Sequence, residues 1–106
     1  MARTPASCCP PAAKGLAAKS EHVAALKALA HLGRLKVFFH LVQAAEPLPV
    51  GNIQAVLRLP APTLSHHLEH LERAGLITRR KVDRFIYSEV RRDIVTDLVR
   101  LLTACC

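Results

Sequence analysis

Apolar residues recur at three- and four-residue spacing along most of the chain, and at two-residue spacing over one short stretch. Over residues 16–32, Val23, Leu26, Leu29 and Ala30 repeat at helical intervals between Lys19, Glu21 and Lys27. This predicts a first helix, which Gly33 punctuates. A second helix over 34–44 places Leu35, Phe38, Leu41 and Val42 on one side, and Pro47 and Pro49 then end the segment in a turn. The stretch VGNIQAVLRLPAPTLSHHLEHLERAGL reads as two short helices with a tight break between them. Ile53, Val56 and Leu57 form the apolar side of the first. The break covers 59–62, with Pro62 placed in a first helical turn, where its missing N–H costs nothing. Leu64, Leu68, Leu71 and Ala74 turn inward from the second helix, and Gly75 terminates it. Two helices so joined form a helix-turn-helix pattern.

In ITRRKVDRFIYSEV the period changes. The alternation of Phe85 and Tyr87 and the preceding Ile77 predicts a two-stranded hairpin with Val82 and Asp83 near its tip. The last segment, 90–102, returns to helical spacing with Ile94, Val95, Leu98, Val99, Leu101 and Leu102. That stripe is wider than one small domain needs, so this helix is expected to pair with the first helix and with both helices of a second chain. The predicted fold is mostly α with a small β-hairpin, a winged helix-turn-helix that dimerises through its first and last helices. An arm over 1–15, carrying Pro5, Pro10 and Pro11, is expected before the domain at 16–103, and a short tail at 104–106 after it.

Composition narrows the class. Hydrophobic residues make up 51% of the 106, which excludes general disorder, yet no apolar run approaches the ~18 residues of a membrane span. The start, MARTPASCCPPAAKG, is too polar and proline-rich for a secretion signal. A cytoplasmic protein without a membrane partner is the expectation. Fifteen Lys and Arg against eight Asp and Glu give a net charge of +7, which favours a polyanionic partner, although basic surfaces also serve solubility and anionic membranes.

A recognition helix needs short hydrogen-bonding side chains at its exposed beginning to reach base edges in the major groove. Thr63, Ser65, His66 and His67 fit that role. Arg58, Arg73, Arg79, Arg80, Lys81 and Arg84 could add phosphate contacts. The blander account is a merely solvated charged face, and for His67, beside Leu68, packing against the preceding helix. His66 and His70 stand four apart on one helix and could share a metal ion, but Glu69 points elsewhere, so DNA recognition or packing accounts better for them. His22, His31 and His40 recur at intervals of nine and are read as independent residues.

PTLSHHLEHLERAGLITRR followed by FIYSEV, with KALAHLGRLKVFFHLV upstream, resembles the ArsR/SmtB family of bacterial winged-helix metalloregulatory repressors. The likeness covers about 16–102. It implies a homodimer that reads a palindromic operator in double-stranded DNA with the helix bearing Thr63, Ser65, His66 and His67. It also implies a wing near the minor groove, and release of DNA when an inducer binds. Members often carry glycine near the wing tip. This chain has Asp83, which tolerates the left-handed conformation at some cost.

The resemblance also bears on the inducer. PVGNIQAVL lacks the cysteine pair that marks the best-known arsenite and cadmium sensors, and the last helix offers Asp93 and Asp97 but no histidine for a zinc or nickel site. All four cysteines stand as adjacent pairs, Cys8 with Cys9 and Cys105 with Cys106. The second pair resembles cysteines that some arsenite-responsive members carry after the last helix. Trivalent arsenic, a soft thiophile, takes two or three thiolates. Cys105 and Cys106 are the expected ligands, with Cys8 or Cys9 as a third. Three thiolates suit arsenite or antimonite, and two suffice for methylarsenite.

Mobile, incidental cysteines are the bland alternative and a thiol redox sensor the sharper one. No C-x-x-C, glycine-rich phosphate loop or carboxylate pair supports an enzyme. A nonspecific DNA-binding protein is a third class.

Overall fold

The computed structural model describes residues 17–103. The expected arm before this range and the tail after it, with Cys8, Cys9, Cys105 and Cys106, lie outside the described residues. The order of elements is α1 (Ser20–Leu29), α2 (Leu32–Gln43), β1 (Leu48–Pro49), α3 (Val50–Leu57), α4 (Ala61–Arg73), β2 (Ile77–Val82), β3 (Phe85–Val90) and α5 (Arg92–Thr103). The elements follow the predicted sequence, with four corrections.

The first helix is shorter than predicted, and a different face of it is buried. Ala25 and Ala28 are buried, while Val23 and Leu26 remain 51% and 41% exposed. Small side chains allow close approach to the neighbouring helices, and the bulky ones one position round the helix point away from the core. The α1–α2 break also falls earlier than Gly33. His31 caps α2, its Nδ1 accepting the Gly33 N–H at 3.1 Å, so the glycine lies inside the first turn. In α2 the buried residues are Val37, Phe38 and Leu41, and Leu35 is exposed.

The hairpin is the third correction. It pairs Ile77 with Val90 through to Val82 with Phe85, and β1 adds a short third strand, with Leu48 opposite Ser88 and Pro49 opposite Tyr87. The sheet order is β1-β3-β2. Of the residues whose alternation predicts the hairpin, Ile77 is buried and Tyr87 half-buried, but Phe85, next to the tip, is exposed. Asp83 does adopt the left-handed backbone, at φ 57°. Val90, fourth, belongs to β3 rather than to the last helix.

The core runs from α2 through Ile53 and α4 to the start of the sheet and α5. Leu64, Leu68, Leu71, Leu76 and Ile77 are essentially inaccessible. The end of α4 fixes how the sheet departs. Gly75, at φ 82°, donates its N–H to the Glu72 carbonyl, and Leu76 N–H reaches back to the Leu71 carbonyl at 3.0 Å. These two bonds form a Schellman closure, for which a left-handed glycine is favoured, with apolar Leu76 and Leu71 buried together. Arg91 N–H then bonds the Leu76 carbonyl at 2.9 Å, and the Arg92 guanidinium donates to the carbonyls of Val42 and Ala44. The start of α5 is thereby tied to both ends of the α2–α4 core.

Among the described residues no helix is long and apolar enough to cross a membrane.

Candidate nucleic-acid interface

Helix α4 divides cleanly by side. Leu64, His67, Leu68 and Leu71 face inward, which leaves Thr63, Ser65, His66 and Glu69 exposed along the opposite side. Pro62 at the second position of the helix presets the backbone of the first turn. Upstream, Arg58 closes α3 in the left-handed conformation at φ 54°, its N–H bonded to the Gln54 carbonyl at 2.8 Å. A non-glycine residue there carries some strain, and it sets the sharp turn that aims α4 outward.

Thr63, Ser65 and His66 therefore stand together near the exposed beginning of α4, as a base-reading surface requires. His67 does not join them. It is 6% exposed and packs against His31, with ring centroids 5.1 Å apart. A Cβ at Gly33 would lie 2.7 Å from its Nε2. Burial, then the neighbouring His31, Arg34, His66 and His70, hold its pKa below the ordinary histidine value. A neutral ring that packs the front of α2 against α4 fits these contacts, the role weighed for His67 beside its DNA-reading one.

On the wing, Arg80, Lys81 and Arg84 are exposed and engage no ion pair among the described residues. Two other candidate phosphate contacts are committed elsewhere. Arg79 holds Glu72 at 2.8 Å and so clamps β2 to α4, and Arg73 pairs with Glu69 at 3.4 Å on the helix surface. Helix α4 thus exposes short donors and acceptors, and the wing carries uncommitted cations, groups suited to base edges and phosphates respectively. His66 and His70 lie edge to face, centroids 4.4 Å apart. Burial, then His66, Arg34 and Arg73, lower the His70 pKa against the opposing pull of Glu69.

The three histidines spaced by nine do separate work. His40 Nε2 meets Asn52 Oδ1 at 3.2 Å between α2 and α3, His31 caps α2, and His22 Nδ1 accepts the Lys19 N–H at 3.0 Å at the start of α1. The last of these is one half of a capping box.

A family model described as a helix-turn-helix domain matches residues 29–80. The chain is 34% identical over 79 residues to the biofilm growth-associated repressor of Agrobacterium fabrum (strain C58), a match covering 74% of this chain and 66%, just under two thirds, of that protein. It is 32% identical to the transcriptional regulator HlyU of Vibrio vulnificus CMCP6, covering 82% of this chain and 90% of that one at a TM-score of 0.63. An ArsR-like transcriptional regulator from Rhodococcus sp. RHA1 shares the fold at 20% identity and a TM-score of 0.68, over 78% and 76% of the two chains. The chain has the winged-helix fold of ArsR/SmtB-superfamily transcriptional regulators.

Winged-helix regulators of the ArsR/SmtB superfamily bind DNA and often dimerise. The fold and the similar proteins are those of transcriptional regulators rather than of enzymes. Within that frame the β2–β3 hairpin is the wing. The sensor is a separate matter. The described residues contain one three-residue group able to hold a metal ion, Glu21 and His22 of α1 with Asp97 of α5. Sequence reasoning set aside a carboxylate–imidazole site because the last helix has no histidine. Folding brings one to it from α1, and no local motif signals so distant a partner.

Proposed function

We propose that this chain is a homodimeric transcriptional repressor that reads a palindromic operator through Thr63, Ser65 and His66 of α4, with Arg80, Lys81 and Arg84 of the wing on phosphates. The observation that carries this reading is the division of α4, whose leucines and His67 are buried while Thr63, Ser65 and His66 are exposed on its opposite side. His67 supports the reading surface from behind. Dimerisation is assigned to α1 and α5, where Val23, Leu26, Val99 and Leu102 are exposed by 41–67%. A two-fold pairing there would set the two recognition helices about one DNA turn, roughly 34–36 Å, apart.

The inducer in this reading is trivalent arsenic, arsenite or methylarsenite, held by Cys105 and Cys106 with Cys8 or Cys9 as a further thiolate. The soft-donor chemistry of paired cysteines supports it. A thiol redox switch of the same repressor is the alternative, in which a disulfide joins one end of the chain to the other. Coupling of about 1–3 kcal/mol between thiol chemistry and DNA would change operator affinity roughly 5- to 150-fold.

The test is fluorescence anisotropy of reduced full-length protein on its selected duplex. His66→Ala is expected to relax sequence preference, Arg80→Ala to weaken all duplexes alike and flatten the salt dependence. Arsenite or methylarsenite is expected to release the DNA. Indifference to both, with release by an oxidant and recovery on reduction, would replace the arsenic reading with the redox one. Equal affinity for every sequence would overturn the operator reading itself.

A further inference from the structure

Between the first and last helices lies a group that the DNA-reading surface does not use. Glu21, His22 and Asp97 each bring one ligand atom to within 4.8 Å of the others. Glu21 is exposed and Asp97 half-buried, whereas His22 is only 2% exposed. Neither carboxylate makes an ion pair among the described residues. The Nε2 of His22 is buried without a hydrogen-bond partner there. On a chain with a net charge of +7, two uncompensated carboxylates beside a buried ring with an unmet nitrogen form a local site for positive charge.

We propose that Glu21, His22 and Asp97 bind a divalent first-row transition-metal ion, with zinc as the representative case. One imidazole and two carboxylates are a donor set such ions accept, and three protein ligands leave a further coordination position open to water. The exposed Glu21 gives the ion a way in, and the buried His22 gives the site a fixed wall. The inference concerns this chain's own helices and is independent of what DNA the protein reads.

The hydrogen bond already on His22 determines what binding does to the fold. Its Nδ1 accepts the Lys19 N–H, so in the neutral ring the proton resides on Nε2. A cation on Nδ1 takes the lone pair from the Lys19 amide directly. A cation on Nε2 sends the ring proton to Nδ1, which then ceases to accept. Either way the Lys19 N–H loses its acceptor, and the first turn of α1 gives up half of its capping box.

The experiment titrates zinc into the reduced full chain and into the full chain carrying Cys8→Ser, Cys9→Ser, Cys105→Ser and Cys106→Ser near neutral pH. Stoichiometry is read by native mass spectrometry, affinity by calorimetry and the Lys19 amide by NMR. The expected result is one ion per chain that survives loss of all four cysteines, with the Lys19 amide resonance shifted. His22→Gln keeps an acceptor for the cap, since glutamine serves at that helix position, and is expected to weaken zinc roughly tenfold or more, about 1.4 kcal/mol or above. Asp97→Asn is expected to do the same and keeps the test readable if His22→Gln fails to fold. Unchanged zinc affinity in both variants, or loss of all zinc binding with the cysteines, would overturn the proposal.

Discussion

Helix α4 and the helices α1 and α5 use their apolar residues in opposite ways. In α4 the bulky residues point inward, and Leu64, Leu68 and Leu71 are at most 1% exposed. In α1 the inward positions are the alanines, Ala25 and Ala28, while Val23 and Leu26 face out. In α5, Ile94 and Leu98 are buried but Val99 and Leu102 are exposed by 55% and 67%. Apolar residues recur at helical spacing in all three helices, and that periodicity reports that a helix is amphipathic without saying which body covers its apolar side. Bulky residues left outside on two helices near both ends of the described chain mark a surface suited to a second copy, and removing them should affect association rather than folding.

The sharpest way to break this comparison is to damage each class in turn. Leu71→Ala is expected to lower unfolding free energy by about 2–5 kcal/mol, measured by urea denaturation of the protein. Val99→Glu is expected to leave the secondary structure intact while shifting sedimentation equilibrium to monomer and weakening operator binding. Equal losses of fold in both variants would erase the distinction between core and interface.

Gly33→Ala tests the packing behind α4. The added methyl would meet His67 Nε2 at 2.7 Å and His31 Cε1 at 3.2 Å, and overpacking of this kind typically costs about 1–3 kcal/mol. Destabilisation by thermal melting is expected, with recovery when His67 is also shortened. A wild-type melting temperature would show that the histidine ring moves aside freely.

Acid probes the same contact more gently. Burial holds the folded-state pKa of His67 below its ordinary value, which lies near 6.5 in an unfolded chain. Above that value both states are neutral and His67 adds no pH dependence. As pH falls below about 6.5 the unfolded chain takes up the proton first, so stability declines on acidification, by at most about 1.4 kcal/mol per pH unit for one group. His67→Gln should flatten this part of the pH–stability curve. A slope that survives the substitution would assign it to other groups. The smallest effect is expected at Arg58, where φ is 54°. Arg58→Gly relieves left-handed strain but frees the unfolded backbone, and a change within about 1 kcal/mol is expected on denaturation.

Much of this fold was legible because local chemistry and tertiary packing agree. Pro62, Gly75 and the leucines of α4 point to one helix with one buried side, and Asp83 takes the left-handed turn expected of it. Legibility failed where a partner lay far along the chain. Leu48 and Pro49 make too short a strand to announce themselves, and they pair only because β3 passes beside them. The buried side of α1 could not be read from its bulky residues, because alanine carries a weak hydrophobic signal but fits where helices come closest. At the candidate DNA surface the polar residues of α4 were readable from composition and position, whereas the engagement of Arg79 by Glu72 depends on how β2 returns along α4. The Glu21–His22–Asp97 group was hidden for the same reason: its members come from helices near opposite ends of the described chain.

The most direct test of the central claim is selection of duplexes from a random-sequence pool by the reduced full-length protein. The account predicts enrichment of an inverted repeat whose half-sites lie about one helical turn apart, lost when His66→Ala or Val99→Glu is used for selection. Recovery of no common sequence by the unaltered protein, at a salt concentration where it still binds DNA, would contradict it.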